Sequence, residues 1–402
     1  MRAVIYFCAV LHCWLSWLAV AASGIHLGYY RPNCQGTETI MKQQTKQTGI
    51  PRRTCILLAL GLAVLAAILV WAIGGVGQQE TPYTSTSVAM GTYVQQTIYG
   101  DQGEEAAAQA VQAISGLEDK ISWRIEDSDV ARLNEAAGSD WIQVDEETVS
   151  LLSLCLDVAE KSNGAFDPTI LPLSALWDFG GDNQQLPSEE QIEEFRSYVN
   201  WQNLRIDTEN QEASLKNRLN ALDLGAAGKG AACDAAIDAY KQAGVNSAVV
   251  SVGGSVGLLG MPSGKNSWAV AVRDPLTALE DGQSTSLGTL SLQEGYLSTS
   301  GIYERYFEQD GVFYHHILDP KTGYPVENDL ASVTVVCQNG ALSDILSTAC
   351  FVLGREEGAA LLAEYGASGL FVTKDRHVYI TPGLAESFTL EAQDYAVVTL
   401  EE

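Results

Sequence analysis

The chain has 402 residues, 46% hydrophobic and 18% charged, which excludes intrinsic disorder and leaves room for one large domain or two ordinary ones. Its charge is lopsided: residues 1–80 carry six Lys/Arg against two acids, whereas residues 81–402 hold a net −31 within the whole-chain −27. A body that acidic repels nucleic acid and anionic lipid, so no nucleic-acid partner is expected.

Val4–Ala22 is a first apolar stretch, broken by His12 and a few small polar residues. The simplest reading of residues 1–40 is a doubtful extension ahead of a native start at Met41. Residues 41–54 then form a basic cytoplasmic tail with Lys42, Lys46, Arg52 and Arg53. From Cys55 to Val76 the chain carries no charge. As a helix that run would span roughly 33 Å, enough for a bilayer core of about 30 Å. The positive flank stays inside, so a single-pass anchor with the acidic body outside is expected. The run is long for the core of a cleaved signal. Residues 77–87, rich in Gln, Thr and Ser, read as a linker to a domain at 88–402.

Within the body, Ser87–Tyr99 alternates and is rich in strand formers, and Glu104–Asp119 is Ala-rich with helical spacing of apolar residues. Asp145–Lys161 reads as a helix that Ser162-Asn163-Gly164 terminates. Ser188–Tyr198, Lys229–Ala243 and Ser343–Leu353 are further helices. Ala248–Val252, Trp268–Val272, Ser332–Val336 and Leu370–Val372 are strands. Helices and strands mix without regular βαβ alternation, which predicts an α+β fold in a single large domain. The eight cysteines include no CxxC pair, which argues against a zinc site and gives no disulfide framework.

Three segments could carry chemistry. Leu222-Asp223-Leu224-Gly225-Ala226-Ala227-Gly228-Lys229-Gly230 leads into a helix; it suits either a phosphate-facing loop or a plain glycine-rich turn. Val252-Gly253-Gly254-Ser255 is a weaker version of the same. Asp344 and Thr348 lie four apart, on one helix face, where a carboxylate and a hydroxyl suit Mg²⁺; Asp344 as a cap and Thr348 as packing is the alternative. His315–Gly323 places two of five histidines before an Asp-Pro and a Thr-Gly turn, offering a base, a ligand or a hydrogen-bond partner. Phe166-Asp167-Pro168-Thr169 and Thr299-Ser300-Gly301 look like small polar turns.

With Met90-Gly91-Thr92, Asp127-Ser128 through Arg132-Leu133-Asn134, Ala165–Thr169 and Leu176–Gly180, these segments run in an order that resembles the ApbE-type FAD:protein FMN transferase family. The resemblance covers roughly residues 85–400. It implies splitting of FAD at its pyrophosphate, transfer of FMN to a Thr or Ser hydroxyl of an extracytoplasmic partner protein, and release of AMP. It also implies Mg²⁺ held by Asp344 and Thr348 side chains and the Ala226 carbonyl. FAD contacts would come from Met90, Ala165, Phe166, Asp167, Asp223, Lys229 and Ile317, with His316 as the base. Ala341 stands where many members have a further Asp. Arg124 stands where many have an aromatic, which makes Trp123 the nearest stacking residue. An FAD pyrophosphatase giving FMN and AMP, and a non-catalytic FAD-binding protein, are the competing functions.

Overall fold

A computed structural model describes residues 81–401, except Ser263 and residues 281–284. The expected anchor at 55–76, the tail at 41–54 and the extension at 1–40 lie outside the described residues. Among those described, no helix is long and apolar enough to cross a membrane.

The fold is α+β, built on one nine-stranded sheet whose strands lie side by side in chain order. They are β1 (Tyr83–Ala89), β2 (Thr92–Ile98), β3 (Ala248–Val252), β4 (Ser255–Leu259) and β5 (Gly295–Gly301). Then follow β6 (Leu330–Cys337), β7 (Ser368–Thr373), β8 (His377–Ile380) and β9 (Ala396–Thr399). Neighbours pair antiparallel except β8 and β9, which are parallel. Strand β6 is buried along most of its length, Ser332 and Thr334 included, so it shows no alternation of buried and exposed residues.

Helices α1 (Gly103–Ile121), α3 (Gly225–Gln242) and α4 (Gly340–Leu353) pack on the sheet, and α2 (Glu146–Lys161) packs against those helices. In α1 the buried Ala106, Ala110, Ile114, Leu117 and Ile121 repeat at three- and four-residue steps, while Glu104, Glu105 and Lys120 complement the helix dipole. Asp145 caps α2 by accepting the Glu147 N–H. Behind α2, Asn163 and Gly164 both take positive φ, as the Ser-Asn-Gly stop predicts.

α3 and α4 cross in backbone contact. A Cβ on Gly230 would stand 2.0 Å from the Gly340 carbonyl oxygen, and one on Gly340 would stand 2.3 Å from that of Gly230. Only glycine lets two helices approach so closely. Asp234, one turn further along α3, caps α4 by accepting the Gly340 and Ala341 N–H groups at 2.9 and 2.8 Å.

Several boundaries differ from the sequence reading. Tyr83–Ser87, assigned to a linker, forms most of β1 and pairs with β2 across the two-residue turn Met90-Gly91. Both turn residues have positive φ, 51° and 65°, the geometry of a tight hairpin. Helix α3 begins at Gly225 rather than Lys229, so the glycine-rich segment is its first turn and not a loop before it. Thr299-Ser300-Gly301 is no turn: it ends β5, each residue in register with β6. Cys155, Cys233, Cys337 and Cys350 are free and buried.

Candidate active site

The start of α3 is the centre of the site. Asp223 sets it up. One carboxylate oxygen accepts the Gly225 N–H at 2.9 Å and the other the Ser174 hydroxyl at 3.1 Å. The Asp223 N–H donates to the Pro168 carbonyl, tying α3 to the Ala165–Thr169 loop. In that loop Asp167 is buried and committed to structure, accepting from the Thr169 N–H and hydroxyl and from the Trp201 N–H. Burial raises the Asp167 carboxyl above its ordinary range, against those hydrogen bonds. Ala165 and Phe166 are buried beside it.

The helix crossing delivers Asp344. Asn339, not Asp344, caps α4, and Asp344 sits in the second turn, buried. Its Oδ2 accepts the Gly230 N–H at 3.0 Å. Gly230 stands four residues after Ala226, so its N–H is the donor a regular helix gives to the Ala226 carbonyl. Lys229 Nζ stands 3.9 Å from Asp344 Oδ1 and 3.2 Å from the Gly225 carbonyl. Thr348 lies one turn along, its hydroxyl 3.1 Å from Ser300 Oγ on β5.

Among the described residues no cluster of three or more His, Cys, Asp or Glu side chains forms a metal nest. The donors expected on these two helices, the Asp344 carboxylate, the Thr348 hydroxyl and the Ala226 carbonyl, are all oxygen. A set that small suits a hard divalent cation that keeps waters and phosphate oxygens in its remaining positions. Ala341 is buried and adds no donor; the nearby acid, Asp234, spends both oxygens on the α4 cap.

Two turns close in on Lys229. Gly253, at φ +55°, packs so that its Cβ would lie 3.3 Å from the Lys229 side chain and 3.0 Å from Thr92 Oγ1. That places the Met90-Gly91 hairpin, the Gly253-Gly254 turn and the α3 start at one end of the sheet. The Met90 N–H donates to Glu118 on α1 at 2.8 Å. Trp123, just beyond α1, is half-buried, and the Arg124 guanidinium carbon stands 4.1 Å over its ring. Arg124 therefore occupies one face of the residue expected to stack on FAD.

The two histidines have different chemistry. His315 is buried; its Nε2 meets the Val326 carbonyl at 3.1 Å and its Nδ1 accepts the Ile317 N–H at 3.3 Å. Both nitrogens are used, so His315 is structural, and burial pushes its pKa down to about 4. His316 makes one side-chain bond, Nδ1 to the Arg305 carbonyl at 3.2 Å. A carbonyl can only accept, so the proton sits on Nδ1 and Nε2 keeps its lone pair. Burial first, then the charges of Lys229 and Arg305, lower its pKa. His316 is thus a neutral imidazole within electrostatic reach of Lys229.

Ile317 is buried and bonds through its carbonyl to the Val326 N–H. The Asp319–Gly323 turn that follows is pinned by Trp177 Nε1 to the Gly323 carbonyl at 2.9 Å. The structure therefore joins Lys229, Asp344, Thr348 and Asp223 through α3, α4 and β5, with His316 within electrostatic reach of Lys229. It links Met90 through Gly253 and Glu118, and Ala165–Asp167 through Pro168. Glu118, Ser174, Arg305 and Ser300 were not predicted as site residues; only Ser300 had a signal, its place in the Thr-Ser-Gly segment.

The ApbE family model matches residues 90–371. An FAD:protein FMN transferase of Treponema pallidum is 31% identical over 353 residues, covering 83% of this chain and 96% of that relative. One from Klebsiella pneumoniae is 32% identical, covering 79% of this chain and 97% of its own length. Among solved structures, the ApbE protein of Thermotoga maritima aligns with a TM-score of 0.70 at 33% identity, covering 76% of this chain and 99% of that one. The apo flavinyl transferase ApbE of Pseudomonas stutzeri aligns with a TM-score of 0.67 at 28% identity, over 78% and 99%.

Proposed function

Because this chain belongs to the ApbE family and transfers FMN from FAD to protein, we propose that its acceptor is a Thr or Ser hydroxyl, that the reaction needs Mg²⁺, and that His316 is the base. The observation that carries this reading is the crossing of α3 and α4 that sets Lys229 3.9 Å from the Asp344 carboxylate, with a neutral His316 within electrostatic reach of Lys229.

In the proposed step the acceptor oxygen attacks the FMN-side phosphorus of the FAD pyrophosphate. One P–O bond forms, and the bond to the AMP phosphate breaks. His316 Nε2 takes the hydroxyl proton while the Arg305 carbonyl holds its Nδ1–H. Lys229 offsets the phosphate charge. Asp344, Thr348 and the Ala226 carbonyl would hold Mg²⁺. Bound there, the ion would neutralise charge on the pyrophosphate oxygens as AMP departs.

The test is AMP release by the full chain with FAD, with and without an acceptor domain, alongside mass spectrometry for an added FMN. AMP and modified acceptor in equal amounts are expected. AMP release unchanged by acceptor would make the protein a pyrophosphatase, and neither product would leave an FAD-binding protein. Asp344→Ala should abolish metal dependence and transfer together.

We further propose that the uncharged run at 55–76, behind Arg52-Arg53, anchors the chain in a single pass with its domain extracytoplasmic. The acceptor would then be an extracytoplasmic protein. Protease added outside spheroplasts should digest the domain; protection would overturn this orientation.

A further inference from the structure

Ser300 stands between the helix that carries Thr348 and the sheet. Its Oγ lies 2.8 Å from Ser347 Oγ and 3.1 Å from Thr348 Oγ1. Each hydroxyl has one proton, so the direction of this chain can be worked out. Ser347 gives its proton to the Asp344 carbonyl at 2.8 Å, so towards Ser300 it can only accept. Ser300 therefore donates to Ser347, and having spent its proton it must accept from Thr348. The Thr348 proton points into the protein, and its lone pairs point away from β5.

A helical threonine commonly turns its hydroxyl back to the carbonyl four residues earlier. For Thr348 that carbonyl is Asp344's, and the Ser347 hydroxyl already occupies it. The usual alternative is thereby closed, and Ser300 receives the proton instead. A hydroxyl that presented its proton to a cation would repel it; one that presents lone pairs is a ligand.

We propose that Ser300 is a positioning residue that fixes the Thr348 hydroxyl with its lone pairs presented to the divalent cation beside Asp344. The proposal rests on the reading of Asp344 and Thr348 as cation ligands. It gives the Thr-Ser-Gly segment of β5 a specific role: Ser300 orders a donor on another element without touching the ion.

The experiment is Mn²⁺ binding to the full chain, read from the EPR signal of free Mn²⁺, with no FAD or acceptor present. Ser300→Ala should weaken binding about tenfold or more, the usual scale for losing such an outer partner, while the melting temperature stays near wild type. Ser300→Thr keeps the hydroxyl and should stay within about threefold of wild type. Wild-type affinity in Ser300→Ala, or tenfold loss in Ser300→Thr with the fold intact, overturns the proposal. Asp344→Ala separates the two levels. If it too binds Mn²⁺ normally, the cation site itself is wrong; if it alone loses binding, only the role of Ser300 is wrong. Should Ser300→Ala fail to fold, Ser347→Ala tests the chain from its other end. It releases the Ser300 proton towards Thr348 and must weaken Mn²⁺ binding, whereas unchanged affinity would overturn the proposal.

Discussion

Gly230→Ala should damage the site through the helix crossing rather than through any lost functional group. The added methyl would stand 2.0 Å from the Gly340 carbonyl oxygen, 2.6 Å from its carbonyl carbon and 2.8 Å from Asp344 Cβ. Carbon contacts settle near 3.5–4.0 Å, so α3 and α4 must part by more than about 1 Å. All three obstacles are backbone or the stem of a buried side chain, so no flexible side-chain end can yield. Overpacking of this kind costs about 1–3 kcal/mol, occasionally more. Parting the helices also stretches the Gly230 N–H bond to the Asp344 carboxylate, a bond to a charged group of about 1.5–3 kcal/mol. A total near 3 kcal/mol corresponds to a melting temperature lower by roughly 4–5 °C for a domain of about 320 residues. Gly116→Ala is the matched control: it lies within α1 with nothing inside 4 Å of the new methyl. There the same substitution should stabilise by about 0.5–1 kcal/mol. The assay is calorimetric melting of both variants, paired with Mn²⁺ binding at a temperature where both are folded. A Gly230→Ala protein that melts and binds like wild type would refute the idea that backbone contact between the helices sets the position of Asp344.

His316→Asn should leave FAD binding, read by flavin fluorescence, near wild type and slow FMN transfer by about 10²-fold or more; normal transfer would remove it as the base. Since the His316 pKa is lowered, its basic form persists below neutrality, and the transfer rate should stay level between about pH 8 and 6. A unit-slope fall beginning near an ordinary imidazole pKa would contradict that. His315 acts on stability instead. Its folded pKa of about 4 lies below the ordinary 6.5, so its contribution is complete above about 6.5 and is lost as pH falls through about 4. The loss should be on the order of 3 kcal/mol, and His315→Asn should flatten that part of a denaturation-versus-pH curve.

Local pattern made much of the domain legible. Helix α1 announced itself by Ala-rich spacing, α2 by its Ser-Asn-Gly stop, and the Asp344/Thr348 pair by the four-residue step of a helix. The β1–β2 hairpin was half-hidden because Met90, not a glycine, takes the first positive-φ position of its turn. Ser300 was read as part of a turn because small polar residues usually mark turns. On β5 its hydroxyl is instead satisfied by Ser347 and Thr348 from α4, and neighbouring Thr299 by Thr334 from β6. Glu118, Arg305 and Asp234 had no signal at all, since each pairs a side chain with a backbone group between 11 and 107 positions away. Their roles exist only after the sheet has closed.

The order of the sheet also has a temporal side. Strand β2 ends at Ile98, and its next neighbour begins with Ala248, to which Ile98 pairs. Everything from α1 to α3 is made in between. A growing chain must carry β2 with one edge open until that excursion is complete, and such distant pairings form slowly. Met90 sits on the early side of the gap, and Lys229, on α3, comes just before the strand that fills it. With Met90 and Lys229 as the proposed FAD contacts, neither half alone would hold both, and the flavin would reward only the finished fold, by mass action on the native state.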